Sequence, residues 1–346
     1  MPEDDAVTYL WLARVRMVST RGMENHCQEL RKDNNMNTLY VDSTVNDDVR
    51  RQRLYNGQIF VFSPRPSSVA LCKFAREMIE EAFTPLDPRE AQYSLSVEEF
   101  VAIVAPLRPK FIHHPKSKQL IRELLNELGC DVNKTYFDVP RMRVVTHGGY
   151  LNAGVAYPLH PHRDSWYASP LCQLNWWLPI YDIESESAMA FQPRYWNQAV
   201  RNGSSSYNHY EWNSNGRKNA AQYIKEDTRK QPRPEEHIEL DPQIRVVCSV
   251  GGIILFSGAQ LHWTVPNTSG RTRFSIDFRT VHIDDVIAKG GAPNLDSAPQ
   301  GTTLRELMRA SDHAHIPQEV ISLYEDEPPT SGDLVFQPPE LSTPAR

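Results

Sequence analysis

The chain has no excess of positive charge, no paired cysteines and no long apolar run, and each absence removes a class of function. Lys and Arg number 37 against 43 Asp and Glu, giving a formal net charge of −6 and no electrostatic footprint for nucleic acid. The five cysteines (Cys27, Cys72, Cys130, Cys172 and Cys248) are odd in number and widely spaced. They form no Cys-x-x-Cys pair and read as reduced, buried thiols. No apolar stretch approaches the roughly 18 residues needed to span a membrane. The acidic start, Met-Pro-Glu-Asp-Asp, lacks the pattern of a secretory signal. There are no internal repeats. The expectation is a soluble, cytoplasmic protein acting on a small molecule, with neither nucleic acid nor membrane as partner. Oligomeric state is left open. At 346 residues the chain can bury a large core.

What is present falls into two regimes. Up to about residue 130 the pattern is mostly helical. Helical patches are expected over Thr8 to Met17 and Glu24 to Lys32, and Gln58 to Phe62 reads as a short strand. Ser67-Ser68 caps a helix whose Val69, Leu71, Cys72, Ala75, Met78 and Ile79 recur at helical spacing. Ser96 caps a second helix, Val97 to Val104. A third runs from Ser117 to Leu128 and stops at Gly129.

From Tyr136 onward the period is 2. Strands are predicted at Arg141–His147, His160–Tyr167, Gln173–Tyr181, Ala188–Pro193, Arg245–Val250, Gly252–Phe256, His262–Pro266 and Thr272–Val281. Short strands with Gly, Pro and Asn turns suggest a sandwich or barrel. A polar stretch, about 197–239, interrupts them and reads as a lid-like insertion. A helix near Thr303–Ala310 and a Pro-rich tail after Glu327 close the chain. The resulting division is a helical 1–135 packing on the core, a β core at 136–285, and a C-terminal helix and tail at 286–346.

Within the β region stands His162-Arg163-Asp164. On a strand His162 and Asp164 share a face, so they can hold one ion, with Arg163 pointing away as a spacer. Gly251 to Gly258 reads as a buried strand and turn that delivers His262 to the same place. Two histidines and a carboxylate on one side of a metal leave the other side open, the facial arrangement of non-haem Fe(II) oxygenases. No cysteine is in the set, which argues against structural zinc. The next strand is one-sided. Arg271, Arg273, Ser275, Asp277 and Arg279 alternate with Thr272, Phe274, Ile276 and Phe278. A guanidinium facing a polar cavity can pair bidentately with a carboxylate, and Ser275 can add a hydroxyl to the same group.

His162-x-Asp164, His262 and Arg273, eleven positions later, resemble the Fe(II)/2-oxoglutarate-dependent dioxygenases, nearest the phytanoyl-CoA dioxygenase-like branch. The resemblance covers roughly residues 136–282. It implies a mainly β protein with a helical N-terminal part: a double-stranded β-helix (jelly-roll, cupin-like) core covered by helices. It implies Fe(II) on His162, Asp164 and His262 as the catalytic triad. It also implies O2 and 2-oxoglutarate as cosubstrates, with the far carboxylate of 2-oxoglutarate on Arg273. Thr264, one strand step from His262, would contact the cosubstrate, and Arg271 is the rival for the Arg273 role. The reaction implied is oxidation of a substrate C–H bond, with hydroxylation the usual outcome, and release of succinate and CO2. Halogenating relatives lack the carboxylate, so Asp164 argues against halogenation.

The substrate is less legible. In Gln173 to Leu178, either Gln173, Asn175 and Trp177 or Leu174, Trp176 and Leu178 face inward; the polar set suits a substrate pocket. His160 and Arg143 are further candidates for substrate contact. A small polar molecule or secondary metabolite is expected. A kinase reading of His162-Arg163-Asp164 fails because position 169 is Ser, not Asn, and no Gly-rich phosphate loop precedes it. The remaining alternatives are a metal-dependent hydrolase, which has no need of Arg273, and a non-catalytic jelly-roll binding protein, which has no need of all three ligands.

Overall fold

A computed structural model describes residues 38–325 apart from 158, 217–221 and 227. The helical patches expected before residue 38, Cys27, and the Pro-rich tail lie outside the described residues. Among the described residues eleven strands form two sheets: β1 (Leu39–Val41), β2 (Ile59–Phe62), β3 (Thr135–Phe137), β4 (Arg141–Val145), β5 (Leu174–Pro179), β6 (Met189–Phe191), β7 (Ile244–Val246), β8 (Ile253–Ser257), β9 (His262–Thr264), β10 (Arg273–His282) and β11 (Met308–Arg309). The larger sheet runs β1-β2-β8-β5-β10-β3-β11, with β4 also paired to β10; the smaller runs β7-β6-β9. Because β1 and β2 join the larger sheet through β8, the N-terminal region supplies strands to the core as well as helices that cover it.

Alternation on β10 explains the layering. Phe274, Ile276 and Phe278 point to one side and join Leu71, Ile79, Phe100 and Leu124 in the main apolar core. Those last residues come from three helices, α1 (Pro66–Phe83), α2 (Val97–His113) and α3 (Pro115–Glu127). On β5 the same side carries Leu174, Trp176 and Leu178, and Trp176 stacks on Phe278 with ring centroids 5.5 Å apart. The opposite face carries Gln173, Asn175 and Trp177 and looks toward the smaller sheet; Trp177 clusters there with Met189 and Phe191 of β6 and with Phe256 of the neighbouring β8. The ambiguity over which set of β5 residues faces inward is thereby resolved in favour of the polar set.

Three local expectations need correction. The helix from Val97 continues to His113 through Pro106 and Pro109. Both prolines are exposed, so the carbonyls that lose their partners sit toward water rather than core. Thr303–Ala310 is a 3₁₀ turn, Thr303–Glu306, followed by β11, because Met308 and Arg309 pair with β3. His160–Tyr167 is no regular strand: a bridge at His162 is followed by a 3₁₀ turn, Asp164–Tyr167. Cys72, Cys130 and Cys172 are buried free thiols, and Cys248 is a partly buried one. Among the described residues no helix is long and apolar enough to cross a membrane.

Removing a ring from the stacked pair tests this layering. Phe278→Ala is expected to cost about 3–5 kcal/mol, read from the denaturant midpoint; a loss below about 1 kcal/mol would contradict the packing.

Candidate metal centre

The three ligand candidates are brought together by backbone pairing. His162 and His262 exchange two backbone hydrogen bonds of 3.0 Å, which sets their rings side by side with centroids 4.3 Å apart. Arg163, between His162 and Asp164, is extended (φ −109°, ψ 142°), and that single residue is enough to place His162 and Asp164 on one side. The Asp164 N–H donates to the Gly258 carbonyl at 2.8 Å. Gly258 permits the close approach: a Cβ there would sit 3.3 Å from Asp164 Cβ and 3.2 Å from Gln173 Nε2.

Asp164 Oδ1 lies 3.3 Å from His162 Nε2 and 3.7 Å from His262 Nε2, and one ligand atom from each residue falls within 4.8 Å of the others. Donors that each sit about 2.1 Å from one ion are on the order of 3 to 3.5 Å apart, so the spacing suits a metal. The tautomers suit it as well. His162 Nδ1 faces the His160 carbonyl at 2.7 Å and His262 Nδ1 faces the Gln260 carbonyl at 2.9 Å. A carbonyl only accepts, so both Nδ1 atoms carry the hydrogen and both Nε2 lone pairs are left for an ion. All three residues are buried.

The carboxylate is fixed from its other side. Asp164 Oδ2 accepts from Gln173 Nε2 at 2.9 Å and Asn175 Nδ2 at 2.8 Å, and Arg279 Nε stands 3.5 Å away. Burial pushes the Asp164 carboxyl up, but the polar groups that face it, the imidazoles of His162 and His262 and the Asn175 amide, outweigh it, leaving the group well below the usual carboxylate range. Burial first, and then the neighbouring His162, lower His262 to about 4. Gln173 and Asn175, expected against substrate, both donate to the Asp164 carboxylate.

Further along the inner face of β10, Arg273 is buried, with Nη1 donating to the Ser187 carbonyl at 2.9 Å and its guanidinium 5.5 Å from the Trp177 ring centre. Its Nε has no partner, nor does the neighbouring Ser275 Oγ, and among the described residues no carboxylate is in ion-pair contact with Arg273. Burial lowers its guanidinium to about 10. Thr264 pairs with Met189, two residues from Ser187. Arg271 is placed elsewhere. It precedes β10, is more than half exposed, and faces Glu90 at 3.7 Å, because strand alternation does not extend back to it.

Arg143 pairs with Asp277 at 2.6 Å rather than offering a free cation. His160 faces the Pro232 carbonyl at 2.7 Å and the Tyr157 hydroxyl at 3.3 Å, so it fastens the return limb of the 197–239 insertion beside the site. Trp177 forms the apolar floor under Arg273. Sequence reasoning missed the ionic chain behind the carboxylate. Arg279 meets Asp277 at 3.2 Å and Asp138 at 3.5 Å, and Asp138 also pairs with Arg141. The alternation of β10 signalled Arg279 as inward, but nothing local to Asp138 did.

No protein-family model and no curated protein matches the chain. Among solved structures, EvdO2 from Micromonospora carbonacea var. aurantiaca is 11% identical over 70% of this chain and 93% of its own, with a TM-score of 0.41. The same protein complexed with 2-oxoglutarate is 12% identical, also with a TM-score of 0.41. The non-heme alpha ketoglutarate dependent epimerase SnoN from nogalamycin biosynthesis is 16% identical over 74% of this chain and 98% of its own, with a TM-score of 0.31.

Loss of the amide clamp is expected to weaken metal binding. Asn175→Leu or Gln173→Leu should raise the Co(II) dissociation constant about 10- to 100-fold, measured by calorimetry; wild-type affinity in both variants would show that the amides do not set the carboxylate.

Stability of the metal-free protein should also depend on pH. His160, lowered chiefly by burial, and His262 both titrate at about 4 in the folded chain, against about 6.5 when unfolded. Between these values the unfolded chain binds more protons, so stability is retained above pH about 6.5 and falls as the pH drops toward about 4. Denaturant midpoints should shift down across that window, and less so in the His262→Gln protein; identical profiles would refute the assignment.

Proposed function

We propose that the chain is a non-haem Fe(II)- and 2-oxoglutarate-dependent oxygenase with a double-stranded β-helix (jelly-roll) core, akin to the phytanoyl-CoA dioxygenase-like branch. It hydroxylates a C–H bond of a small polar molecule or secondary metabolite. The observation that carries this reading is Arg273: a buried guanidinium with an unpartnered Nε, beside an unpartnered Ser275 hydroxyl, on the face shared with the metal carboxylate's support. A buried cation with no ion-pair contact among the described residues is costly, which supports an anionic ligand as its missing partner. A metal-dependent hydrolase leaves that cation unexplained.

The spacing supports a dicarboxylate that joins the two groups. Asn175 holds Asp164, and Trp177, the next inward residue on β5, lies beneath Arg273. One such step along a strand is about 7 Å, which a five-carbon dicarboxylate can span. Bound iron with 2-oxoglutarate and O2 would supply C–H oxidation with release of succinate and CO2. The protein residues then have distinct tasks. His162, His262 and Asp164 Oδ1 would hold the ion by three atoms. Arg273 and Ser275 would orient the cosubstrate's far carboxylate, and Thr264 would contact the cosubstrate. Trp177, Phe191 and Phe256 exclude water from beneath.

Anaerobic addition of Fe(II) and 2-oxoglutarate is expected to produce a weak visible charge-transfer band. Arg273→Ala should keep metal affinity but weaken 2-oxoglutarate binding on the order of 100-fold or more. A protein that binds metal without the band, or an Arg273→Ala variant with unchanged cosubstrate affinity, would overturn the reading.

A further inference from the structure

The residue between the two N-terminal ligands is no spacer. Arg163 is turned away from the ion site but is 2% exposed, and its guanidinium joins four stretches of chain. Nη1 donates to the Ala259 carbonyl at 2.6 Å, in the turn that leads from β8 to His262. Nη2 donates to the carbonyls of Tyr195 at 2.6 Å and Gln198 at 2.9 Å, in the segment that leaves β6, whose Phe191 pairs with His262. Nε donates to Asp296 Oδ2 at 3.1 Å.

Asp296 lies beyond the β core and is equally committed. Oδ2 accepts the Val200 N–H at 2.9 Å, Oδ1 accepts Trp166 Nε1 at 2.8 Å, and its backbone carbonyl accepts Asn202 Nδ2 at 2.8 Å. The next residue continues the attachment, Ser297 Oγ meeting Ser165 Oγ at 2.6 Å. Among the described residues Asp296 is the one carboxylate in ion-pair contact with Arg163. Apolar groups surround this point, with Trp166, Tyr195, Val200 and Leu261 forming a cluster of their own.

We infer that Arg163 and Asp296 are positioning residues for the metal triad: the fork of Arg163 fixes the distance between the His162–Asp164 turn and the turn carrying His262, and Asp296 holds that fork in place. The geometry is specific to a guanidinium. Three carbonyls and a carboxylate lie around one planar group, and an ammonium on a flexible stem cannot meet them together. It follows that a residue C-terminal to the last long strand belongs to the site, although it touches no ligand. The inference rests on the triad holding a metal, and not on the identity of the cosubstrate.

The test is Co(II) binding to the full-length metal-free protein, followed by calorimetry and by the visible Co(II) spectrum, with no 2-oxoglutarate present. Three variants divide the roles. Arg163→Lys keeps the charge and loses the fork. Asp296→Asn keeps the shape and loses the charge. The double variant Arg163→Met with Asp296→Leu removes both charges into apolar surroundings, a replacement that buried ion pairs often tolerate without loss of stability. Thermal melting reports folding separately. The expected result is a Co(II) dissociation constant raised at least about 10-fold, with a shifted Co(II) spectrum, in Arg163→Lys and in the double variant, even where melting is cooperative and close to wild type. Wild-type affinity and spectrum in a folded double variant would show that the pair only stabilises the fold, and would overturn the inference. Should the double variant not fold, Arg163→Lys and Asp296→Asn decide by the same readings. Failure of the unsubstituted protein to bind Co(II) would instead remove the triad itself.

Discussion

An ionised group inside a protein must be answered by another charge or by dipoles, and the inner face of β10 is organised by that requirement. Phe274, Ile276 and Phe278 turn outward into the helix-covered core, so Arg273, Ser275, Asp277 and Arg279 are all committed inward. Asp277 answers both Arg143 and Arg279. Arg279 reaches on to Asp164 and to Asp138, and Asp138 to Arg141. Arg141 meets Glu306, and Glu306 meets His209 in the insertion. The Asp164 carboxylate is therefore one end of a chain of ion pairs and hydrogen bonds that leads to the polar insertion. Arg273 makes no ion-pair contact with this chain among the described residues, and its Nε has no hydrogen-bond partner.

The same economy governs the three candidate metal donors. Each histidine bonds the carbonyl two residues before itself, His162 to His160 and His262 to Gln260, so the tautomer is set within each segment. Only the relative placement of the segments is left to long-range contacts: the reciprocal backbone pair between His162 and His262, and the carbonyls gathered by Arg163. Local bonds decide which atom of each histidine is offered, and tertiary bonds decide whether those atoms meet. Asp164 is treated in the same way. Its Oδ2 is occupied by two amides, so Oδ1 is the atom presented.

Much of this was legible because strands alternate. The one-sided pattern of Arg273 to Arg279 is visible in the sequence, as is the pairing of a buried glycine-flanked strand with His262. Other features were hidden for identifiable reasons. Gln173 and Asn175 read as pocket residues because an inward amide looks the same whether it faces a substrate or a carboxylate. Arg271 shares the parity of Arg273, but parity has meaning only inside the strand, and the strand begins at Arg273. The turn after His162 looked like a strand because one extended residue, Arg163, produces the same alternation over three positions.

The sequence by itself determined the donor types, the face of β10 on which charge would lie, and the helical cover, since these follow from residue chemistry and short-range periodicity. Only the tertiary structure decided that Asp138, Arg279 and Asp296 stand behind the site and that Arg271 does not. Those relations join segments more than a hundred residues apart, as Arg163 joins Asp296 and Asp138 joins Arg279. No local pattern encodes such a meeting. It is fixed by which strands pair and by the need of each buried charge to find its counterpart once they have.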